Sequence, residues 1–473
     1  TPMAPSIVLA VMAGYFGILI LVSWLTSRKA NMATFFTANR QSPWYVVAFG
    51  MLGATLSGVT FISLPGEVGN SNFHYYQMVL GYTLGYLVIG TVLMPLYYRL
   101  NLVTIYTYLR QRFGMKSYKT GSAFFLLSRV VGASFRLFLV ATVLQIAFFD
   151  AYGVPFFVTV IVTLLLIWLY TFRAGIKTVV YTDTIQTFFM LASIIISAII
   201  IMQALDLSFG ETVAAIKSHS YSNMFNWDWR SGQHFFKQFF SGAFIAIVMT
   251  GMDQDMMQKN LTCRNIKEAQ KNMFWFTLVL LPFNLLFMSL GVLLYIYAQQ
   301  NGIAIPASSD ELYPLLALNH FGIFAGIVFL LGIVAAAFSS ADSAMTSLTT
   351  AFTVDFLGID INKDTPKARS TKRRVHWMFT FILFLVILGF DAINNQSVIS
   401  SLFQAAGYTY GPILGLFAFG LMTRFRIWDK WVPLVAVLSP VLTGLIDFNS
   451  EALLNGYRFG YELLILNGLL TFL

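Results

Sequence analysis

Within an otherwise apolar run, Ala335-Ala336-Ala337-Phe338-Ser339-Ser340-Ala341-Asp342-Ser343 carries one carboxylate and three hydroxyls. On a helix, Ser339, Asp342, Ser343, Thr346 and Thr350 follow the i, i+3, i+4, i+7 spacing and line up as one oxygen-bearing stripe. Hydrocarbon cannot solvate such a stripe. An ionised Asp at bilayer depth costs at least ~2.5 kcal/mol on insertion scales, so this face must look into protein, water or a bound cation. Oxygen donors of this kind suit an ion site, whereas hydroxyls alone would suggest helix packing.

Two other apolar stretches carry breaks. Gly50, Gly53, Gly58 and Gly66 accompany Thr55, Ser57, Thr60 and Ser63 and end at Pro65, which reads as an interrupted helix whose freed carbonyls need protein, water or a cation. Near 241–258, small residues combine with Thr250, Gly251, Asp253, Gln254 and Asp255 into a second candidate interruption. The blander reading of the glycines is close helix packing.

These stretches sit in a chain that is 58% hydrophobic and only 10% charged, with a mean hydropathy of +0.73. Soluble domains carry about 25% charge, so the composition is that of a polytopic membrane protein whose solvent is the lipid bilayer. The single cysteine, Cys263, excludes an internal disulfide framework and a cysteine-rich metal site. Apolar segments near 6–27, 45–68, 77–98, 120–149, 154–172, 178–203, 235–258, 272–298, 319–355, 375–392, 397–421, 428–448 and 459–473 predict about thirteen transmembrane helices. The net charge of +9 follows topology, with no need of nucleic acid. With the N-terminus outside, most of the 29 basic residues fall in alternate, inner loops, from Arg28 and Lys29 through Arg173 and Lys177 to the cluster at Lys363–Arg374. Only Arg129 and Arg136 lie within a segment. The first apolar segment is followed by Ser-Arg-Lys without a small-residue cleavage site, so it reads as a true first helix in the cell membrane.

The two interrupted segments, second and seventh, are five positions apart. Five helices followed by five inverted ones is an arrangement that transporters use, with the first helix of each half broken at the substrate site. The expected fold is all-α, with a 5+5 inverted-repeat, leucine-transporter-like core in a single domain: residues 1–44 hold the first helix and an inner loop, 45–203 the first repeat, 235–421 the second and 422–473 peripheral helices.

At this point the chain resembles the sodium/solute symporter family, which includes sodium-coupled glucose, iodide, proline and sialic acid transporters. The resemblance rests on Thr55-Leu56-Ser57-Gly58-Val59-Thr60-Phe61, on Tyr181-Thr182-Asp183-Thr184-Ile185-Gln186, on Gln258-Lys259-Asn260-Leu261 followed by Lys267-Glu268-Ala269-Gln270, on Ala336, Ser339, Ser340 and Asp355, and on Gln404 with Gly411-Pro412. It implies a primary sodium ion held by carbonyls of Gly53 and Leu56, the carbonyl of Ala336 and the hydroxyls of Ser339 and Ser340. It also implies a second sodium position at Asp183, Ser339, Asp342 and Ser343, so that one or two sodium ions are coupled. Asp342 departs from the hydroxyl expected there. It can strengthen cation binding, carry a proton beside Asp183, or partner a basic group.

The same resemblance places solute contacts at Thr55, Ser57, Thr60, Tyr75, Gln77, Arg136, Asp253 and Gln404. The family's sugar transporters use an acidic residue in the third segment and a lysine in the eighth; this chain has neither, with Leu278 near the latter place. A guanidinium within the membrane pairs bidentately with a carboxylate, so Arg136 points to an anionic solute such as sialic acid or another organic anion. Arg129, seven residues earlier on roughly the same face, is a rival for that role, and either arginine could instead be bridged to Asp253, Asp255 or Asp342. Asp255, four residues before Lys259, suggests an inner-gate charge pair.

The expected function is therefore sodium-coupled import of a small organic solute by alternating access. A sodium/sugar symporter and a non-transporting sensor of the same fold are the alternatives, and no kinase or receiver segment is visible to favour the sensor. No catalytic triad, phosphate-cradling loop or metal-ligand motif suggests an enzyme. The oligomeric state stays open, a monomer included.

Overall fold

The apolar segments become helices because no solvent is present along them to satisfy a free backbone N–H or C=O. The computed structural model describes residues 4–172, 175–393 and 398–473. Arg173 lies outside them. Thirteen helical segments carry the fold, numbered here in chain order with short connecting helices left out. They are α1 Pro5–Thr26, α2 Trp44–Ser71, α3 Tyr75–Arg99, α4 Met115–Ala147, α5 Phe156–Thr171, α6 Ile176–Ala204, α7a Phe235–Gly251 with α7b Gln254–Asn260, and α8 Ile266–Gln300. They continue with α9 Ile323–Ala351, α10 Pro366–Ile393, α11a Val398–Thr409 with α11b Gly411–Met422, α12 Val432–Phe448 and α13 Leu463–Phe472.

Each lies where an apolar segment was expected. Among the described residues nine helices are long and apolar enough to cross a membrane, or up to 11 if each of two bent pairs is one span. α5 and α13 are shorter.

Both anticipated breaks are present. α2 turns at Ser57, whose φ of 49° and ψ of 176° divide the helix in two. α7 passes through a π-helical turn at Ile247–Gly251 and then bends by 67° at Met252 and Asp253. Gly251 precedes the break, and Asp253 caps the new helix by accepting the Met256 N–H at 3.2 Å. A third bend, of 46°, separates α11a from α11b at Tyr410. Pro412 sits at the start of α11b, where its missing N–H costs nothing but stops the preceding helix from running through.

Packing is reciprocal between two sets of five helices. α2 lies along α8 and α7a lies along α3, while α6 packs on α9 and α4 on α11a. Small residues allow the close approach: a Cβ on Gly242 of α7a would strike the Met78 carbonyl of α3, and one on Gly291 of α8 the Pro65 carbonyl of α2. α9 is the central helix, touching α1, α2, α4, α6 and α10. Buried carboxylates tie the segments that flank it in the chain. Before α9, Asp310 accepts the Ser63 hydroxyl at 2.5 Å and the Val398 N–H at 3.0 Å, joining α2 to α11a. Beyond it, Asp355 accepts the Ser122 hydroxyl at 2.6 Å together with those of Thr104 and Tyr118.

Candidate functional site

The break in α2 faces the stripe on α9. A Cβ on Gly58, next to the break, would lie 3.7 Å from the Ala336 Cβ and 3.8 Å from its carbonyl carbon. A left-handed residue inside a helix interrupts the backbone ladder, so carbonyls of the turn holding Gly53 and Leu56 lose their regular partners. Gly53 also lets α2 close on α6, because any Cβ there would strike the Thr187 side chain. On α9, the Ser340 Oγ is buried without a hydrogen-bond partner among the described residues, and so is the Thr55 Oγ1 on α2. A buried hydroxyl left unpaired costs about 1–3 kcal/mol, which a bound cation would offset. The donor set is all oxygen and suits sodium.

Behind this junction, α6 and α9 share a second polar cluster. The Ser339 hydroxyl donates to Asp183 Oδ1 at 3.0 Å, and the Ser343 hydroxyl donates to the Ser339 carbonyl at 3.0 Å. Asp342 is fully buried, with the Thr182 hydroxyl 3.5 Å from its Oδ2. The unexpected member is Lys259 of α7b, whose Nζ lies 2.9 Å from Asp183 Oδ2. Further along the stripe, the Gln258 side-chain amide donates to the Thr350 hydroxyl at 2.9 Å and to the Phe36 carbonyl at 2.8 Å. The stripe is thus real, and α7b closes its C-terminal end.

Asp255 and Lys259 do not pair with each other along α7b. Asp255 takes Arg129 of α4, while Lys259 takes Asp183 of α6. An i, i+4 pair wins on an exposed helix, where each partnership is worth only a few tenths of a kcal/mol. Here both side chains are buried, and each faces an opposite charge on a neighbouring helix.

On the other side of the α2 break lies an open cavity. Thr55, Ser57, Thr60, Tyr75 and Arg136 line it, as the sequence suggests. Arg136 is only 7% exposed, and its Nε and Nη1 have no hydrogen-bond partner among the described residues. The two arginines differ in their neighbours: Arg129 borders the same cavity but is held by Asp255.

Three expected contacts are placed elsewhere. Gln77 is absent from the cavity lining and fixes the loop before α7a, donating to the Gln233 carbonyl at 3.0 Å and to Gln238 Oε1 of α7a at 2.9 Å, and accepting from the Asn226 N–H at 3.1 Å. Gln404 is exposed, because its neighbours Leu402 and Phe403 take the inward face of α11a. Asp253 is committed to capping α7b and to the Tyr410 hydroxyl, which ties the α7 break to the α11 break. Sequence reasoning missed Tyr82, Tyr86 and Asn284, which also line the cavity. Helical spacing could have found the first two: Tyr82 lies seven residues beyond Tyr75, and Tyr86 four beyond Tyr82. Asn284 stands alone in an apolar helix and gives no pattern.

The sequence model of the sodium:solute symporter family matches residues 35–427, and this chain belongs to that family. It is 24% identical over 421 residues to the sodium/sialic acid symporter NanT of Aliivibrio fischeri, spanning 87% of this chain and 82% of that protein. It is 23% identical over 436 residues to the sodium/sialic acid symporter SiaT of Proteus mirabilis, covering 88% and 84%. The solved substrate-bound, outward-open state of a Na+-coupled sialic acid symporter superposes with a TM-score of 0.81 at 21% identity, covering 98% of this chain and 96% of that one. The fold is accordingly the helical, leucine-transporter-like core expected from the two broken helices. The protein is a membrane transporter of a sodium-coupled family.

Proposed function

We propose that this protein imports a small carboxylate-bearing solute together with sodium, by alternating access, across a cell membrane with its N-terminus outside. The observation that carries the reading is the Arg136 guanidinium, buried in the cavity wall with two nitrogens unpartnered while Arg129 beside it is neutralised. A buried cation without its own counter-charge is a strong seat for a carboxylate. The sialic acid named for the two bacterial relatives is one anion of this class.

Sodium would be held by the carbonyls of Gly53, Leu56 and Ala336 and the hydroxyls of Ser339 and Ser340, and would join α2 to α9. The α2 break would serve both ligands: its carbonyls would meet the ion, while Thr55, Ser57 and Thr60 line the cavity. Sodium therefore orders the wall against which the solute binds, which makes each favour the other. A second cation position at Asp183, Ser339, Asp342 and Ser343 has Lys259 as its neighbour. In this reading residues 45–203 and 235–421 are the two repeats that move against each other, and 1–44 and 422–473 flank them.

Each charge moved inward gains about 2.3 kcal/mol per 100 mV. Two sodium ions with one monoanion carry net positive charge, so uptake should be electrogenic. The test is uptake of labelled N-acetylneuraminate and of simple carboxylates into proteoliposomes under imposed sodium and potassium gradients. Accumulation should require inward sodium and rise with an inside-negative potential. Carboxylate uptake indifferent to both would reject the proposal.

A further inference from the structure

The cavity is lined by two kinds of side chain. Arg136 of α4 and the hydroxyls of Thr55, Ser57 and Thr60 on the α2 break are polar, whereas the wall contributed by α3, α7a, α8 and α11a includes Tyr82, Tyr86, Met249, Leu280, Leu402 and Phe403.

The tyrosine hydroxyls are partly engaged with one another: those of Tyr75 and Tyr82 lie 3.3 Å apart and share a hydrogen bond. The Tyr75 ring also leans on Phe403, with centroids 6.0 Å apart. Asn284 donates one N–H to the Leu280 carbonyl of its own helix at 3.0 Å, and its Oδ1 has no partner among the described residues.

Resting on the carboxylate reading above, we propose that the solute is a compact amphipathic carboxylate, an aryl or branched alkyl acid, and not a polyhydroxylated sugar acid. The carboxylate sits on Arg136 and the α2 hydroxyls, and the apolar body lies against α3, α7a, α8 and α11a. Between these two kinds of molecule the chemistry of the wall decides. A sugar acid brings a hydroxyl on nearly every carbon, and each one buried without a partner lowers affinity about tenfold. An apolar body gains instead, by about threefold to fourfold for each methylene taken out of water.

The experiment uses the full chain, purified and in proteoliposomes, with acetate, isovalerate, phenylacetate and N-acetylneuraminate as probes in sodium and in potassium. Thermal stabilisation and inhibition of sodium-driven uptake are read for each. Isovalerate and phenylacetate should act only in sodium, at concentrations at least tenfold below acetate and N-acetylneuraminate, and the effect should vanish in Arg136→Gln. Equal or tighter binding of N-acetylneuraminate, or an affinity that is flat from acetate to phenylacetate, overturns the inference while leaving the carboxylate reading intact. If no probe shows a sodium-dependent effect, the carboxylate reading fails and the inference falls with it.

Discussion

The Lys259 ammonium lies 2.9 Å from Asp183 Oδ2, inside the protein, on the same seven-residue helix whose Asp255 holds Arg129. α7b is therefore pinned at one end to the helix that lines the solute cavity and at the other to the helix beside the ion stripe. A displacement of α7b must break or carry both pairs, which gives the two sites a mechanical connection through one rigid turn of chain.

Removing the Lys259 charge strands Asp183 among buried groups. Breaking a buried ion pair from one side costs about 3–5 kcal/mol. Lys259→Met should therefore lower thermal stability in potassium and recover part of the loss in sodium, while Lys259→Met with Asp183→Asn should recover most of it in either salt. Unchanged melting of the single variant in both salts would show that the pair contributes nothing.

The two buried arginines should separate in their effects. Arg129→Gln leaves Asp255 unpaired and should destabilise the fold by about 3–5 kcal/mol. Arg136→Gln removes a guanidinium with no protein carboxylate bound to it, so melting should hold or rise while carboxylate affinity falls about a hundredfold. Melting curves and solute titrations on the same preparations decide the matter.

Ser340→Ala removes a hydroxyl proposed to meet sodium. The half-saturating sodium concentration should rise about tenfold, with the maximal uptake rate at high sodium little changed. Uptake measured across a sodium series tests this, and an unaltered sodium dependence would take Ser340 out of the ion site.

Gln77 and Gln404 should not behave as solute ligands. Gln77→Ala breaks two contacts with the loop before α7a and one with Gln238 of α7a, and should cost about 1–3 kcal/mol of stability. Gln404→Ala changes an exposed side chain and should be silent. Neither should shift solute affinity measured at saturating sodium, and a tenfold loss in either would return that residue to the cavity.

Gly53→Ala would press a methyl group into Thr187 where α2 and α6 meet. Overpacking of this kind costs about 1–3 kcal/mol. A lowered melting temperature with weakened sodium dependence is expected, and Thr187→Ala in the same chain, which removes the hydroxyl that the methyl group would strike, should relieve part of it.

Much of the architecture was legible along the chain because a membrane makes local rules strict. Apolar length alone located the helices, and the Gly, Ser and Thr cluster around Ser57 and the Gly251-Asp253 pair marked two breaks, since irregular backbone is tolerated there only where oxygen or charge can meet it. The bend at Tyr410 was written no less plainly in Gly411-Pro412, though as a motif rather than as a break. The periodic stripe from Ser339 to Thr350 also followed from helical spacing.

Pairing was another matter. Nothing local says that Lys259 turns to Asp183 and Asp255 to Arg129, that Gln77 holds a loop, or that Leu402 and Phe403 rather than Gln404 face the solute. Charge type and spacing name the candidates, but several opposite charges lie within reach of each, and the rotation of a helix about its axis is set by all its neighbours together. The sequence by itself determined which groups are buried and what chemistry they offer; the tertiary structure decided which of them are spent on one another and which, like Arg136 and Ser340, remain open for a ligand.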